Sequence, residues 1–393
     1  MKYSFSSRIQ GVHPSAIREI FKVLEDPTII SFAAGSPSPD TFPAAELGEL
    51  AQELFASRYA QAFQYGISEG YGPLREQTAA RLKHKYNTGR DTDAIMITSG
   101  GQQALDLAVK VLANEGGTIL CENPSFVGAL NGIRSYGVNL LGIPMDDEGM
   151  DTEALASLLA KNSQFRLLYT IPTFQNPTGV TMSAARRRHL MELAARHDLI
   201  ILEDNPYHEL RYSGDPLPTL KSMDIEGRVI YMGSYSKVIA PGIRMGYVCA
   251  NQDLIAKMTV AKQVTDVHTN QFFQMLVSSY LTHCELDAHI EECRHVYRAK
   301  RDRMLSHESA FEGRISFTHP DGGLFLWCQL PDGGDSDAFG RAAVARKVAL
   351  VPGSAFTAVQ NEISPGFRLN FSLPTLEQID AGMQILAALA RDF

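Results

Sequence analysis

The chain has 393 residues, 45% of them hydrophobic and 20% charged, with a formal net charge of −8. That length exceeds one ordinary core and suits two, and the acidic balance argues against general affinity for nucleic acid or anionic membranes. Five cysteines scattered without C-x-x-C spacing, no apolar run near the ~18–20 residues of a membrane-spanning helix, and a polar N-terminus without a signal-peptide core lead us to expect a soluble cytoplasmic protein.

In chain order, short apolar runs suited to buried strands occur at Ala94–Thr98, Thr118–Cys121, Arg166–Ile171, Leu199–Leu202, Val229–Gly233 and Met245–Ala250. Helical periodicity lies between several of them, at Gln102–Ala113, Phe126–Tyr136, Thr152–Ala160 and Ala184–Arg196. This alternation predicts an α/β fold: a mostly parallel sheet sandwiched by helices, with ligands at the carboxyl ends of its strands. Beyond residue 251 the pattern changes to long helices near Leu254–Thr265, Gln271–Tyr280 and Leu286–His307. Strands follow near Ile315–Thr318, Leu324–Gln329 and Phe367–Phe371, with a last helix over Leu376–Ala390. The expected division is a large domain over 46–282 and a smaller α+β domain built from 1–45 with 283–393.

The densest chemistry follows the strand Val229–Gly233. There Ser234-Tyr235-Ser236-Lys237 is succeeded, seven residues after the lysine, by Arg244 in Pro241-Gly242-Ile243-Arg244-Met245-Gly246. A lysine past a strand end offers an amine for imine formation, while two hydroxyls and a guanidinium suit a nearby phosphate. The competing reading is a solvated lysine in a Ser/Gly-rich loop. The stretch resembles the S-x-S-K-x-x-x-P-G-x-R-x-G pattern of class I/II aminotransferases, which are fold-type I pyridoxal-phosphate enzymes. The resemblance implies pyridoxal 5'-phosphate as cofactor, Lys237 as its Schiff-base lysine, and Ser234, Ser236 and Arg244 as phosphate ligands.

Other segments carry the same resemblance. Ser99-Gly100-Gly101-Gln102 joins a strand to a helix, whose N-terminal amides and dipole favour an anion; the family's use of this segment implies Gly101 and Gln102. Asn176, in Gln175-Asn176-Pro177-Thr178-Gly179, matches the family's N-P-T-G element and is implied as a ligand of the cofactor's phenolic oxygen. Leu199-Ile200-Ile201-Leu202-Glu203-Asp204 ends a hydrophobic strand in acid. The D-x-x-Y pattern implies Asp204 as partner of the ring nitrogen and Tyr207 as a second ligand of the phenolic oxygen. Strand alternation turns Glu203 the other way, into a structural role. Phe126 stands where relatives stack an aromatic ring on the cofactor, or is a core phenylalanine. Tyr71 matches a tyrosine that in relatives reaches the phosphate across a dimer interface, which implies a homodimer with shared active sites.

Arg368, in Phe367-Arg368-Leu369-Asn370-Phe371, matches the family's carboxylate-binding arginine, a task suited to the guanidinium fork. The resemblance covers the chain from about Gly35 to its end. Ser15–Ile20 and Ser31–Pro37 are similar to the subgroup acting on 2-aminoadipate, kynurenine, aromatic and branched-chain amino acids, with Gly35 at the substrate and Arg18 facing either a distal carboxylate or solvent. The expected reaction moves an amino group from an aromatic, large apolar or 2-aminoadipate-like L-amino acid to a 2-oxo acid such as 2-oxoglutarate. Alternatives are β-elimination or decarboxylation on the same scaffold, or a non-catalytic ligand-sensing domain. A cluster of His283, Cys284, His289, Cys293 and His295 reads as a partly exposed helix rather than a metal site.

Overall fold

A computed structural model describes residues 3–10, 12, 26–331, 333–360 and 362–393. Its largest sheet has eight strands: β1 Asp93–Thr98, β2 Thr118–Asn123, β3 Asn139–Asp146, β4 Gly149–Met150, β5 Leu167–Thr170, β6 Ile200–Asp204, β7 Val229–Ser234 and β8 Gly246–Asn251. Their spatial order is β1-β8-β7-β6-β5-β2-β3-β4. Strands β7, β6, β5, β2 and β3 are mutually parallel. β8 is antiparallel to both its neighbours, so β1 runs the same way as β7.

Period-two alternation sorts the side chains of these strands into two cores. Leu120, Leu168 and Ile201 pack with Leu155, Leu159, Leu190 and Leu193 from the helices Thr152–Lys161 and Ala184–His197. Ile119, Cys121, Leu167, Tyr169 and Leu202 belong to the opposite core, with Ala104, Leu105 and Leu107 of the helix Gly101–Leu112. Both faces are therefore covered, which explains why the strands read as nearly continuous apolar runs. Asp151 and Ser183 start the two helices of the first core by accepting backbone N–H groups with their side chains.

The parallel arrangement gathers the segments that follow β1, β2, β5, β6 and β7 along one edge of the sheet. β8 runs the other way, so it is the segment preceding it, with Arg244, that reaches that edge. A second, antiparallel sheet comprises β9 Ser316–Phe317, β10 Phe325–Gln329, β11 Val351–Pro352 and β12 Gly366–Asn370, in the order β9-β10-β12-β11. β12 is buried throughout. Its Arg368 lies opposite Trp327 of β10 and Val351 of β11. The early segment Ile30–Ser31 pairs in parallel with Val348–Ala349, and Asn370 N–H donates to the Phe32 carbonyl (2.7 Å).

Each predicted strand and helix named above has a counterpart, with ends that coincide or move by at most three residues. The helix expected at Leu254–Thr265 spans Gln252–Gln263 because Asn251 caps it, accepting from the Asp253 amide. The strand expected at Ile315–Thr318 pairs only over Ser316–Phe317. The helices Ala44–Ser57 and Gly72–Tyr86, the strand β3 and the helix Ser336–Ala345 were not anticipated. Among the described residues, no helix is long and apolar enough to cross a membrane.

Candidate active site

Lys237 lies just beyond β7 at the sheet edge, and its Nζ donates to the Gly35 carbonyl (2.9 Å). Burial and the nearby guanidinium groups of Arg368 and Arg244 lower its pKa to about 8, with Asp204 opposing them. The amine therefore gives up its proton far more readily than an ordinary lysine.

Asp204 ends β6 on the side of Leu202, while Glu203 points away from it. Glu203 is fully buried and accepts from the backbone amides of Leu220 (3.0 Å) and Lys221 (2.8 Å), anchoring the short helix Leu220–Met223. Its expected structural role is what the geometry shows. Asp204 instead receives the Tyr169 hydroxyl (2.7 Å). Burial raises its carboxyl to about 6, against the pull of that hydrogen bond and of Lys237. The Tyr207 ring lies 5.9 Å from Lys237 Nζ, and the Asn176 amide donates to the Tyr207 hydroxyl (3.4 Å).

Arg368 is buried at 1% exposure. One of its Nη groups donates to Asn176 Oδ1 (2.8 Å) and the other to the Ala33 carbonyl (2.8 Å). The guanidinium is flanked by the rings of Phe325 and Phe356, 4.3 and 5.0 Å from their centroids. Its Nε is buried without a partner among the described residues. Such an orphaned donor beside a cation fits an incoming carboxylate.

Around the edge, Ser236 N–H donates to Ser234 Oγ (3.1 Å), which reaches the Met245 carbonyl (3.4 Å). Arg244 is exposed and lies over Gly100, where an added Cβ would collide with its Nη2. Gly100, at φ +83°, precedes the helix that starts with Gly101 and Gln102, and no side chain caps that end. A glycine-walled cradle holding a guanidinium, two serine hydroxyls and uncapped helix amides matches a phosphate dianion. Together with an acid, an amide–phenol pair and an amine nearby, this donor set fits pyridoxal phosphate.

The remaining expected residues are placed as follows. Phe126 immediately precedes the helix Val127–Arg134 and its ring lies against Gly128, half-buried and also packed on the core near Val127. Gln102 donates to the Gly128 carbonyl (2.9 Å). The Tyr71 hydroxyl accepts from Arg58 (2.5 Å) and its backbone amide donates to Gln274 Oε1 (2.7 Å). Arg18 lies outside the described residues. In the His/Cys cluster, Cys293 Sγ and His289 Nε2 are 3.5 Å apart, and His295 faces Glu291. Sequence reasoning missed Tyr169, Phe325, Phe356 and the Ala33 carbonyl. Of these, only Phe325 and Phe356 offered a signal, as aromatics close to glycines in the stretches Gly322-Gly323-Leu324-Phe325 and Gly353-Ser354-Ala355-Phe356.

The family model for class I and II aminotransferases matches residues 27–386. Aromatic-amino-acid aminotransferase 1 of Thermococcus litoralis is 42% identical, covering 99% of this chain and 94% of its own. The 2-aminoadipate transaminase of Thermus thermophilus is 38% identical over 90% of this chain and 88% of its own. The crystal structure of Pyrococcus horikoshii kynurenine aminotransferase, in complex with PMP, superposes with a TM-score of 0.95 at 41% identity, covering 99% and 97% of the two chains. The chain belongs to the class I and II aminotransferases and is a pyridoxal-phosphate-dependent transaminase.

Proposed function

We propose that the chain transfers an amino group from an aromatic, large apolar or 2-aminoadipate-like L-amino acid to a 2-oxo acid such as 2-oxoglutarate, with the site residues in the following roles. When bound, pyridoxal phosphate supplies a carbonyl carbon for amine exchange and a ring that takes up an electron pair. Arg244, Ser234, Ser236 and the amides of Gly101 and Gln102 hold the phosphate. Asp204, oriented by Tyr169, holds the proton of the ring nitrogen. Asn176 and Tyr207 donate to the phenolic oxygen, and Phe126 covers the ring face. Arg368 clamps the substrate α-carboxylate beside Asn176, using Nε together with one Nη. Gly35, whose carbonyl holds Lys237 in the free protein, borders the substrate. Lys237 Nζ would take the proton from the substrate α-carbon and deliver it to the cofactor's C4' carbon, as general base and then acid, a task suited to its lowered pKa.

The observation that carries this reading is the convergence of Lys237, Asp204, the Asn176–Tyr207 pair and Arg368, drawn from four separate segments, on one sheet edge. The names of the similar enzymes support the substrate class. Arg18 and a distal carboxylate remain part of the proposal, as does the division into 46–282 and 1–45 with 283–393. A homodimer with Tyr71 serving the partner's site is supported by exposed Phe55, Tyr59, Phe63, Tyr65 and Ile67 close in sequence to Tyr71. Five free thiols, four of them buried, accord with a reducing cytoplasm.

The test is spectroscopic. Protein loaded with pyridoxal phosphate should lose its visible absorption when a donor amino acid is added and regain it with 2-oxoglutarate, and the rates rank the donors. Lys237→Ala should show neither change; full turnover in that variant overturns the assignment.

A further inference from the structure

The turn that carries Asn176 is an unusual piece of chain. Residues 171–179 are buried one after another yet lie outside any helix or strand. Buried irregular backbone is costly unless its polar groups find partners. Phe174 in this turn adopts φ +50°, strained for an aromatic residue. It is held against Gly322 and Gly323, where added Cβ atoms would collide with Phe174. From one side, buried Arg187 donates to the Pro172 carbonyl (2.5 Å), Thr173 Oγ1 (2.9 Å) and the Met182 carbonyl (2.9 Å).

From the other side comes Glu122, the penultimate residue of β2, 1% exposed. Its carboxylate accepts from Thr170 Oγ1 (2.5 Å), the Ile171 amide (3.1 Å) and Gln175 Nε2 (3.1 Å). These donors are neutral, and all belong to the stretch leading into Asn176. Gln175 is itself fully engaged: Nε2 also donates to the Pro124 carbonyl (2.9 Å), and Oε1 accepts from Thr178 N (2.9 Å) and Thr178 Oγ1 (2.8 Å). With two donors and two acceptor positions used, its orientation is determined. Pro124 in turn precedes Ser125 and Phe126. One buried carboxylate thus braces the turns carrying Asn176 and Phe126, although it is too far along the network to touch a substrate.

Resting on the transaminase reading above, we propose that Glu122 is a positioning residue: through Gln175 it sets the side-chain amide of Asn176, and hence the hydrogen bond from Asn176 toward the cofactor and the contact between Asn176 and Arg368. A purely structural carboxylate would stabilise the fold and leave the site's chemistry unmoved. Glu122→Gln keeps the shape but replaces one acceptor oxygen by a donor facing other donors.

The experiment is a double-mutant cycle on the cofactor-loaded protein with Glu122→Gln, Asn176→Ala and both together. Each form is read by the pH midpoint of the cofactor's visible absorption, by kcat/KM for a donor amino acid, and by thermal unfolding of the apoprotein. Glu122→Gln should move the midpoint in the same direction as Asn176→Ala and lower kcat/KM about tenfold, short of the ~100-fold that a 1 Å misplacement brings. In the Asn176→Ala background it should change either quantity by less than about twofold. If Glu122→Gln does not fold, Thr170→Val removes a single donor and should give a smaller midpoint shift of the same sign. Effects that add in full in the double variant, or a lowered apoprotein Tm with an unmoved midpoint, overturn the inference. A wild-type protein that shows no amino-acid-dependent bleaching overturns the transaminase roles themselves, so the two failures are distinguishable.

Discussion

An amine held against the Gly35 carbonyl beneath two guanidinium groups loses part of its hold on a proton. The pKa of Lys237 falls from 10.5 to about 8, so between those values the unfolded chain binds a proton that the folded chain does not. Stability of the apoprotein therefore rises with pH across about 8 to 10.5, and the full cost of holding this partly buried cation is present below 8. Lys237→Met should make the apoprotein more stable at pH 7, by about 1–3 kcal/mol, since each tenfold loss of proton affinity is worth ~1.4 kcal/mol. That gain should vanish near pH 10.5, as checked by urea unfolding at several pH values. Arg368 offers a second consequence at this scale. Arg368→Ala removes a charged hydrogen-bonding pair worth about 1.5–3 kcal/mol. It should raise KM for the amino acid roughly 10- to 100-fold, with a smaller change in kcat. Arg368→Lys should recover little of this, because a point charge lacks the fork and does not stack between Phe325 and Phe356. These two residues were legible in the sequence because their motifs are contiguous. Tyr169 and Glu122 were not. Tyr169 reaches Asp204 from the neighbouring strand, and the donors of Glu122 lie 48 or more residues away along the chain, relations that only strand register creates.

Among the elements, β8 is where direction matters most. It lies between β1 and β7 with reversed polarity, and it begins at Gly246, where a Cβ would sit 2.7 Å from the Gly100 backbone. Gly246→Ala should force β8 from the Gly100 turn, costing about 1–3 kcal/mol as overpacking does. It should also weaken retention of pyridoxal phosphate, measured by dialysis and absorbance. Another element-scale device is the buried ion triad of Lys221 with Asp93 (3.0 Å) and Asp224 (3.0 Å), which ties the short helix Leu220–Met223 to the start of β1. Lys221→Met strands two buried carboxylates and should destabilise the protein by about 3–5 kcal/mol in chemical denaturation. Strand positions were readable from apolar runs, but their ends were not. Glu122, Asn123, Glu203 and Asp204 continue the pairing with polar side chains, and composition alone ends a strand at its last apolar residue. The helix Gly72–Tyr86 escaped notice because it buries only Leu74, Thr78 and Leu82.

For the molecule as a whole, the informative surface is apolar. Phe55 stacks on Phe272 (4.9 Å between centroids) and on Phe63 (5.7 Å), while Phe63 and Tyr65 are 68% and 82% exposed. A contiguous exposed apolar patch of this kind marks an interface, here proposed to be with a second copy. Phe63→Glu should shift sedimentation velocity toward a monomer. Its turnover should fall in parallel, because Tyr71, bonded to Arg58 beside this patch, would lose the partner's site. Turnover unchanged in a demonstrated monomer would remove Tyr71 from the mechanism. The division into a large sheet and a small antiparallel sheet was legible from the change in periodicity after residue 251. The threading of the N-terminal segment between them, with Ala33 on Arg368 and Gly35 on Lys237, was not, because no local pattern encodes a contact between carbonyls and side chains more than 200 residues away.

The antiparallel pairing that sets Trp327 opposite Arg368 has a practical corollary. The chain contains a single tryptophan beside 14 tyrosines, so emission excited at the red edge of the absorption band, where tyrosine absorbs little, comes from one known place, a strand away from the proposed carboxylate clamp. The protein therefore carries a built-in optical probe: filling of that clamp can be followed by fluorescence in the unlabelled native sequence, with no second indole to confuse the signal.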